Sequence, residues 1–210
     1  MKLFLFDFDG VLVDSLEVYE KTVKENLQKI KQPIVKTREE FLELFEDNFY
    51  ESLKNKGIDL DVFMKAAEDI LAQVKIKDMK PFPDIEPVIR SLQEKHCLIV
   101  VSSNDYASIK EALEHLHFDN YFRDILGSDF MFSKKEKILY AAKKYDTPPQ
   151  NIYYVGDTTG DIKEGKQAGV KTVAVTWGWH SKEKLAAAGP DYLFDHPREL
   201  LRLHHESPDE

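Results

Sequence analysis

The stretch Lys2-Leu3-Phe4-Leu5-Phe6-Asp7-Phe8-Asp9-Gly10-Val11-Leu12-Val13-Asp14-Ser15 sets the reading of the whole chain. Leu3 to Phe6 are continuously apolar, the pattern of a strand buried on both faces of a parallel sheet. Such a strand should not run into two carboxylates, because unpaired buried charge is expensive. Asp7 and Asp9 are two residues apart, so the two-residue period of a strand would point them the same way. Gly10 then allows a turn that most residues resist. An acidic, solvated Asp-Gly turn is one reading of this segment. A helix-loop-helix calcium loop fits poorly, since Gly10 follows the second aspartate directly and Val18 stands where a closing glutamate would be needed. A catalytic or magnesium site at the strand end is the third, and it requires further carboxylates and a phosphate binder elsewhere.

The chain has 210 residues, enough for one sizeable domain or a domain carrying a smaller insertion. A formal net charge of −9 argues against non-specific binding to nucleic acid or to an anionic membrane. It also repels phosphorylated molecules at long range, so any anion site must be built locally. The single cysteine, Cys97, permits no intramolecular disulfide and reads as a small buried residue rather than a nucleophile. No apolar run approaches the length of a membrane span, and Asp7 interrupts the N-terminal run too early for a signal peptide. A soluble cytoplasmic protein is expected.

From Ser15 to Lys80 the pattern is helical. Leu16, Tyr19, Val23, Leu27 and Ile30 form one stripe, Phe41, Leu44, Phe45 and Phe49 a second, and Val62, Phe63, Ala66, Ile70, Leu71 and Val74 a third. Pro33 and Gly57 separate them, and Pro81-Phe82-Pro83-Asp84 ends the block. Beyond it, helices (about 84–95, 106–117, 135–145, 160–168 and 198–204) alternate with strands (98–101, 124–127, 151–156 and 171–176). That alternation predicts an α/β fold, a doubly wound parallel Rossmann-like sheet with an inserted α-helical domain. The expected division is a core of residues 1–14 and 81–210 and a helical cap of residues 15–80.

In such sheets ligands bind beyond the carboxyl ends of the strands. After the second core strand stand Ser102, Ser103 and Asn104, a hydroxyl and backbone N–H groups at a helix start, which suit an anion pocket as well as an ordinary helix cap. Gly156-Asp157-Thr158-Thr159-Gly160-Asp161 follows the fourth, again a buried strand ending in carboxylates. Lys134 or Lys135 stands at the start of the helix before it, an unfavourable place for a lysine against the helix dipole. Several carboxylates with a lysine suit Mg²⁺, which takes oxygen ligands and, with the lysine, can neutralise a phosphoryl group.

In order, Asp7-Phe8-Asp9-Gly10-Val11-Leu12, Ser102, Lys134 and Gly156-Asp157-Thr158-Thr159-Gly160-Asp161 resemble the four motifs of the haloacid dehalogenase-like hydrolases. The helical insert, Val175-Thr176-Trp177-Gly178-Trp179-His180 and Pro190-Asp191-Tyr192 are similar to the branch containing phosphoglycolate phosphatases and β-phosphoglucomutases. The resemblance implies a Mg²⁺-dependent phosphatase of small phosphomonoesters. Asp7 would be the nucleophile and a metal ligand, and Asp9 the acid and base that also ligates through its carbonyl. Ser102, Ser103, Asn104 and Lys134 would hold the phosphoryl oxygens. Asp157 would ligate Mg²⁺, and Asp161 would hold metal-bound water or Lys134. Many members carry proline after the motif lysine; here Lys135 stands there, and the choice between Lys134 and Lys135 is open. The expected partner is a small phosphorylated metabolite, with no nucleic acid or membrane, for a monomer or homodimer. A phosphomutase is the enzymatic alternative, and a phospho-accepting signalling domain the non-enzymatic one. The aromatic residues Phe41, Phe45, Phe49, Tyr50 and Phe63 are expected to be bundle core. Trp177 and Trp179 are assigned to packing; Arg38, Lys54 and Lys56 could meet a substrate carboxylate or second phosphate, against the default that charges on a helical cap are simply exposed.

Overall fold

A computed structural model describes residues 1–71 and 79–204. Strand β1 (Leu3–Phe6) has no exposed residue, and its side chains alternate between two cores. Phe4 and Phe6 join one apolar cluster, Leu3 and Leu5 the other. This is why the run is continuously apolar rather than alternating. Either side of β1 lie the parallel strands β4 (Cys97–Val101) and β6 (Ile152–Gly156), with Leu5 opposite Ile99 on one side and Tyr154 on the other.

The remaining strands are β5 (Asp124–Leu126), β7 (Lys171–Val175) and β8 (Tyr192–Phe194). All six run parallel in the order β5-β4-β1-β6-β7-β8. Strand order reverses around β1, so the crevice of the doubly wound sheet opens at the carboxyl end of the Asp7 strand. Helices α5 (Ile85–Gln93), α6 (Tyr106–His115), α7 (Lys134–Lys144) and α8 (Thr159–Ala168) link the strands. The final helical turns, Pro197–His204, are 3₁₀ rather than α. Strand β8 and helix α9 (Lys182–Ala187) were not foreseen. Each is short, and neither has the length that makes periodicity legible.

Between β1 and α5 the chain forms a two-stranded antiparallel ribbon, β2 (Val13–Asp14) with β3 (Lys80–Pro81). Within this ribbon's span lie α1 (Leu16–Lys29), α2 (Arg38–Glu43), α3 (Phe49–Asn55) and α4 (Leu60–Leu71). Thr37 and Glu40 close a capping box at the start of α2, and Asn48 caps α3. The block has its own apolar cluster, in which Leu27, Phe41, Leu44 and Leu53 are fully buried. Of the third predicted stripe Phe63 is buried as expected, whereas Val62 is 50% exposed and Ala67, outside the stripe, is buried. Leu60 and Phe63 make the contact with the other helices, and β-branched Val62 is left outside. Val74 of that stripe lies outside the described residues. Cys97 is half-buried at the start of β4, and burial pushes its thiol up, consistent with a non-nucleophilic role. No helix among the described residues is long and apolar enough to cross a membrane.

Behind the sheet, His96 Nε2 lies 3.1 Å from His204 Nδ1, and the two rings lie 5.1 Å apart. Burial, then the neighbouring His204 and Lys2, pushes His96 down to about 4. A histidine held neutral in the fold but free to charge when unfolded makes the unfolded chain bind more protons below its ordinary value. Its contribution is therefore complete above pH ~6.5 and is lost as pH falls toward about 4. Urea midpoints measured across this window should decline on acidification, and His96→Gln should flatten the decline.

Candidate active site

Four segments converge where strand order reverses. Asp7 extends β1, its amide donating to the Val155 carbonyl at 2.9 Å. A tight turn follows: Gly10 donates to Val13 O at 3.0 Å and has φ +74°, in the left-handed region. A Cβ there would also lie 2.0 Å from Asp157 Oδ2, so Gly10 is fixed both by the turn and by the carboxylate pressed against it. Phe8 is driven into the core and Asp7 and Asp9 face a common cleft, as the two-residue spacing implied. Tyr19, Phe45, Ser103, Lys134, Asp157, Thr158 and Trp179 complete its lining.

The two aspartates have different surroundings. Asp7 accepts from Phe8 N at 2.7 Å through Oδ1 and from Lys134 Nζ at 2.5 Å through Oδ2. Asp9 accepts from the Ser15 hydroxyl at 2.6 Å and from Asn104 Nδ2 at 2.7 Å. Burial lifts Asp9 to about 6, opposed by the Ser15 hydrogen bond. Asp7 is lifted to about 7, again by burial, with Lys134 opposing. Burial dominates at Asp7, while at Lys134 the carboxylates outweigh burial and hold the ammonium well above its ordinary range.

Lys134, the first residue of α7, is 7% exposed and bridges Asp7 and Asp161, with Nζ 2.7 Å from Asp161 Oδ1. The lysine in the cleft is thus Lys134, while Lys135 is half-buried and donates its backbone amide to Glu164. Asp161 is saturated. Tyr154 Oη also reaches Oδ1 at 2.7 Å, and Thr158 donates to Oδ2 from its amide and its hydroxyl. Burial raises Asp161, but Lys134 and these donors hold it below the usual carboxylate range.

Asp157 is the reverse case. It is fully buried; Oδ2 accepts from Trp179 N at 2.7 Å, and Oδ1 has no hydrogen-bond partner among the described residues. Burial and the charges of Asp161 and Asp7 push it well above its ordinary value. Carboxylate oxygens of Asp7, Asp157 and Asp161 lie within 4.8 Å of one another. A buried carboxylate oxygen with no donor, beside two more carboxylates, fits a hard divalent cation such as Mg²⁺.

Of the anion-pocket residues, Ser103 lines the cleft and Asn104 holds Asp9. Ser102 is fully buried, its hydroxyl accepting from Asn104 N at 3.1 Å. Its carbonyl accepts from Lys137 Nζ at 2.5 Å, a contact the sequence reading missed. Lys137 is fully buried, and burial, reinforced by the charge of Lys134, pushes it down to about 7. The signal was present: Lys134, Lys137, Ile138 and Ala141 lie on one helical face, and that face is buried. Arg38 pairs with Glu20 and Lys54 with Glu51, and Lys56 is exposed; none of the three lines the cleft.

Residues 4–175 match the family model of haloacid dehalogenase-like hydrolases. The chain belongs to that family. It is 27% identical to a phosphoglycolate phosphatase of Synechococcus elongatus over 207 residues, covering 96% of each chain. It is also 27% identical to the pyrophosphatase PpaX of Listeria monocytogenes, covering 95% of this chain and 94% of that one. A crystal structure of a predicted phosphatase from Clostridium acetobutylicum superposes with a TM-score of 0.83 at 26% identity, over 96% of both chains. The chain is a phosphatase of this hydrolase family.

Gly178 gives a direct test of the carboxylate geometry. A Cβ there would meet Asp157 Oδ2 at 2.3 Å and Gly10 O at 2.4 Å. If the cluster holds a divalent cation, Gly178→Ala should weaken its binding by about tenfold or more through a displaced carboxylate, read by isothermal titration with Mg²⁺ alone, while circular dichroism stays unchanged.

Proposed function

We propose that this phosphatase hydrolyses small phosphomonoesters in two steps, through an aspartyl-phosphate on Asp7. The reading is carried by one observation: two adjacent buried carboxylates with different partners. Asp7 is held by a lysine, Asp9 by a hydroxyl and an amide. Carboxylates set in different environments take different acid–base roles.

An Asp7 oxygen attacks phosphorus, and the bond from phosphorus to the alcohol oxygen breaks as Asp9 gives that oxygen its proton. Water then attacks the aspartyl-phosphate, Asp9 takes its proton, and inorganic phosphate leaves Asp7. Lys134, with Ser103, Asn104 and the loop from Ser102, holds the phosphoryl oxygens. Asp7, Asp157 and the Asp9 carbonyl would hold Mg²⁺, and Asp161 keeps Lys134 in place. When bound, the metal supplies positive charge that lets an anionic oxygen approach phosphorus.

Residues 15–80 act as a cap over a core formed by residues 1–14 and 81–210. The separate apolar cluster of the helices and the β2–β3 ribbon that joins them to the core support that division.

Phosphate release from a panel of small esters should require Mg²⁺ and stop in chelator. Asp7→Asn should lower kcat by about three orders of magnitude or more, as expected when a nucleophile is removed. Full activity in Asp7→Asn would exclude the covalent route, and isomerisation of a sugar phosphate without phosphate release would identify a mutase instead.

A further inference from the structure

A cavity of about 470 Å³ lies between the helical block and the start of α6. It meets the cleft of Asp7 and Asp9 at Tyr19 and Ser103, which line both. An ester with its phosphorus at Asp7 therefore has this space for its alcohol. Phe49, Phe63, Met64 and Ala67 give the cavity an apolar wall on the side of the helical block.

Two features of the lining are specific. Asn26 is 1% exposed; its Nδ2 donates to Phe63 O at 3.0 Å, while Oδ1 is buried without a hydrogen-bond partner among the described residues. A buried acceptor left unpaired is costly, and a donor on a bound ligand would relieve that cost. The charge of the lining is also one-sided. Glu68, Asp105 and Glu111 contribute, and among the described residues no Lys, Arg or His does. The cations that could have met a substrate anion, Arg38 and Lys54, are paired with glutamates and do not line the cavity.

We infer that the cavity receives the leaving alcohol of the substrate, and that this alcohol is uncharged or cationic and carries an N–H or O–H donor for Asn26 Oδ1. The inference rests on the phosphatase reading and narrows it. Phosphoglycolate leaves as an alcohol bearing a carboxylate and pyrophosphate leaves as a phosphate, and the acidic lining disfavours both. The chemical class is that of phosphorylated amino alcohols and neutral polyols.

Phosphate release by the Mg²⁺-loaded full chain tests this with four probes: phosphoethanolamine, glycerol 3-phosphate, phosphoglycolate and phenyl phosphate. At about 0.15 M salt, where charges beyond roughly 8 Å are screened, the first two should exceed phosphoglycolate in kcat/KM by about tenfold or more. The double variant Glu68→Lys/Glu111→Lys changes two exposed side chains and should shrink that ratio several-fold, mainly through KM. Asn26→Leu should lower kcat/KM for phosphoethanolamine more than for phenyl phosphate, which brings no donor. Should Asn26→Leu fail to fold, the charge variant still decides. Phosphoglycolate turned over as well as phosphoethanolamine, with a ratio unmoved by Glu68→Lys/Glu111→Lys, would overturn the inference and leave the phosphatase reading intact. Release from none of the four esters, with other small esters hydrolysed, would overturn the inference alone; release from no ester of the wider panel would overturn the proposed two-step hydrolysis and the inference with it.

Discussion

Four carboxylates gathered at the end of a buried strand repel one another, and burial strips them of the water that would otherwise soften the repulsion. Lys134 is the group that makes the arrangement tenable, bonded to Asp7 and Asp161 at once from a buried position. Its place is set by α7, which begins with that residue, and α7 packs on the sheet through Ile138 and Ala141. Removing one partner of such a buried set typically costs about 3–5 kcal/mol, because the remaining charge has nowhere to go. The order β4-β1-β6 follows from the same constraint, since only a central strand flanked by two others can deliver Asp7, the Ser102 loop and Asp157 to one point.

Charge neutralisation is incomplete by design of the donor set. Asp161 has four donors and Asp7 has two, whereas Asp157 keeps one oxygen without any. The glycines at 10, 156 and 178 make the close approach possible, since each would put a Cβ within 2.5 Å of an aspartate. The lysine thus neutralises one flank of the cluster, and the other flank is shaped for a cation that the protein does not itself supply.

Much of this was legible in the sequence because the signals were strong and local. A strand without a polar residue, ending in Asp7 and Asp9, announces both its burial and its chemistry. Gly156-Asp157 repeats the announcement one strand over. Other parts were silent for physical reasons. Trp179 reads as packing and does pack, but its backbone amide also orients Asp157, and no side-chain pattern encodes an amide. Lys137 looks like a surface lysine until α7 is docked. On α4, Val62 and Phe63 are equally apolar in sequence and both were expected on the buried face; packing buries Phe63 and leaves Val62 exposed. The aromatic residues of α3 and α4 serve two purposes at once: Phe49, Tyr50 and Phe63 are bundle core and also cavity wall.

Trp179 belongs to the loop after β7, yet its ring is counted among the helices: it stands 4.8 Å from Phe45, 5.4 Å from Tyr19 and 5.7 Å from Phe41. Its amide, a few bonds away, is fixed to Asp157 Oδ2. One residue is therefore anchored at both ends, in the aromatic cluster of one layer and on a carboxylate of the other. Sliding the helices against the sheet must either strip that ring of its neighbours or pull on the amide. Such a residue works as a tie rod, so that the position of the helical layer is felt, through one side chain and one hydrogen bond, at the carboxylate whose other oxygen has no hydrogen-bond partner among the described residues.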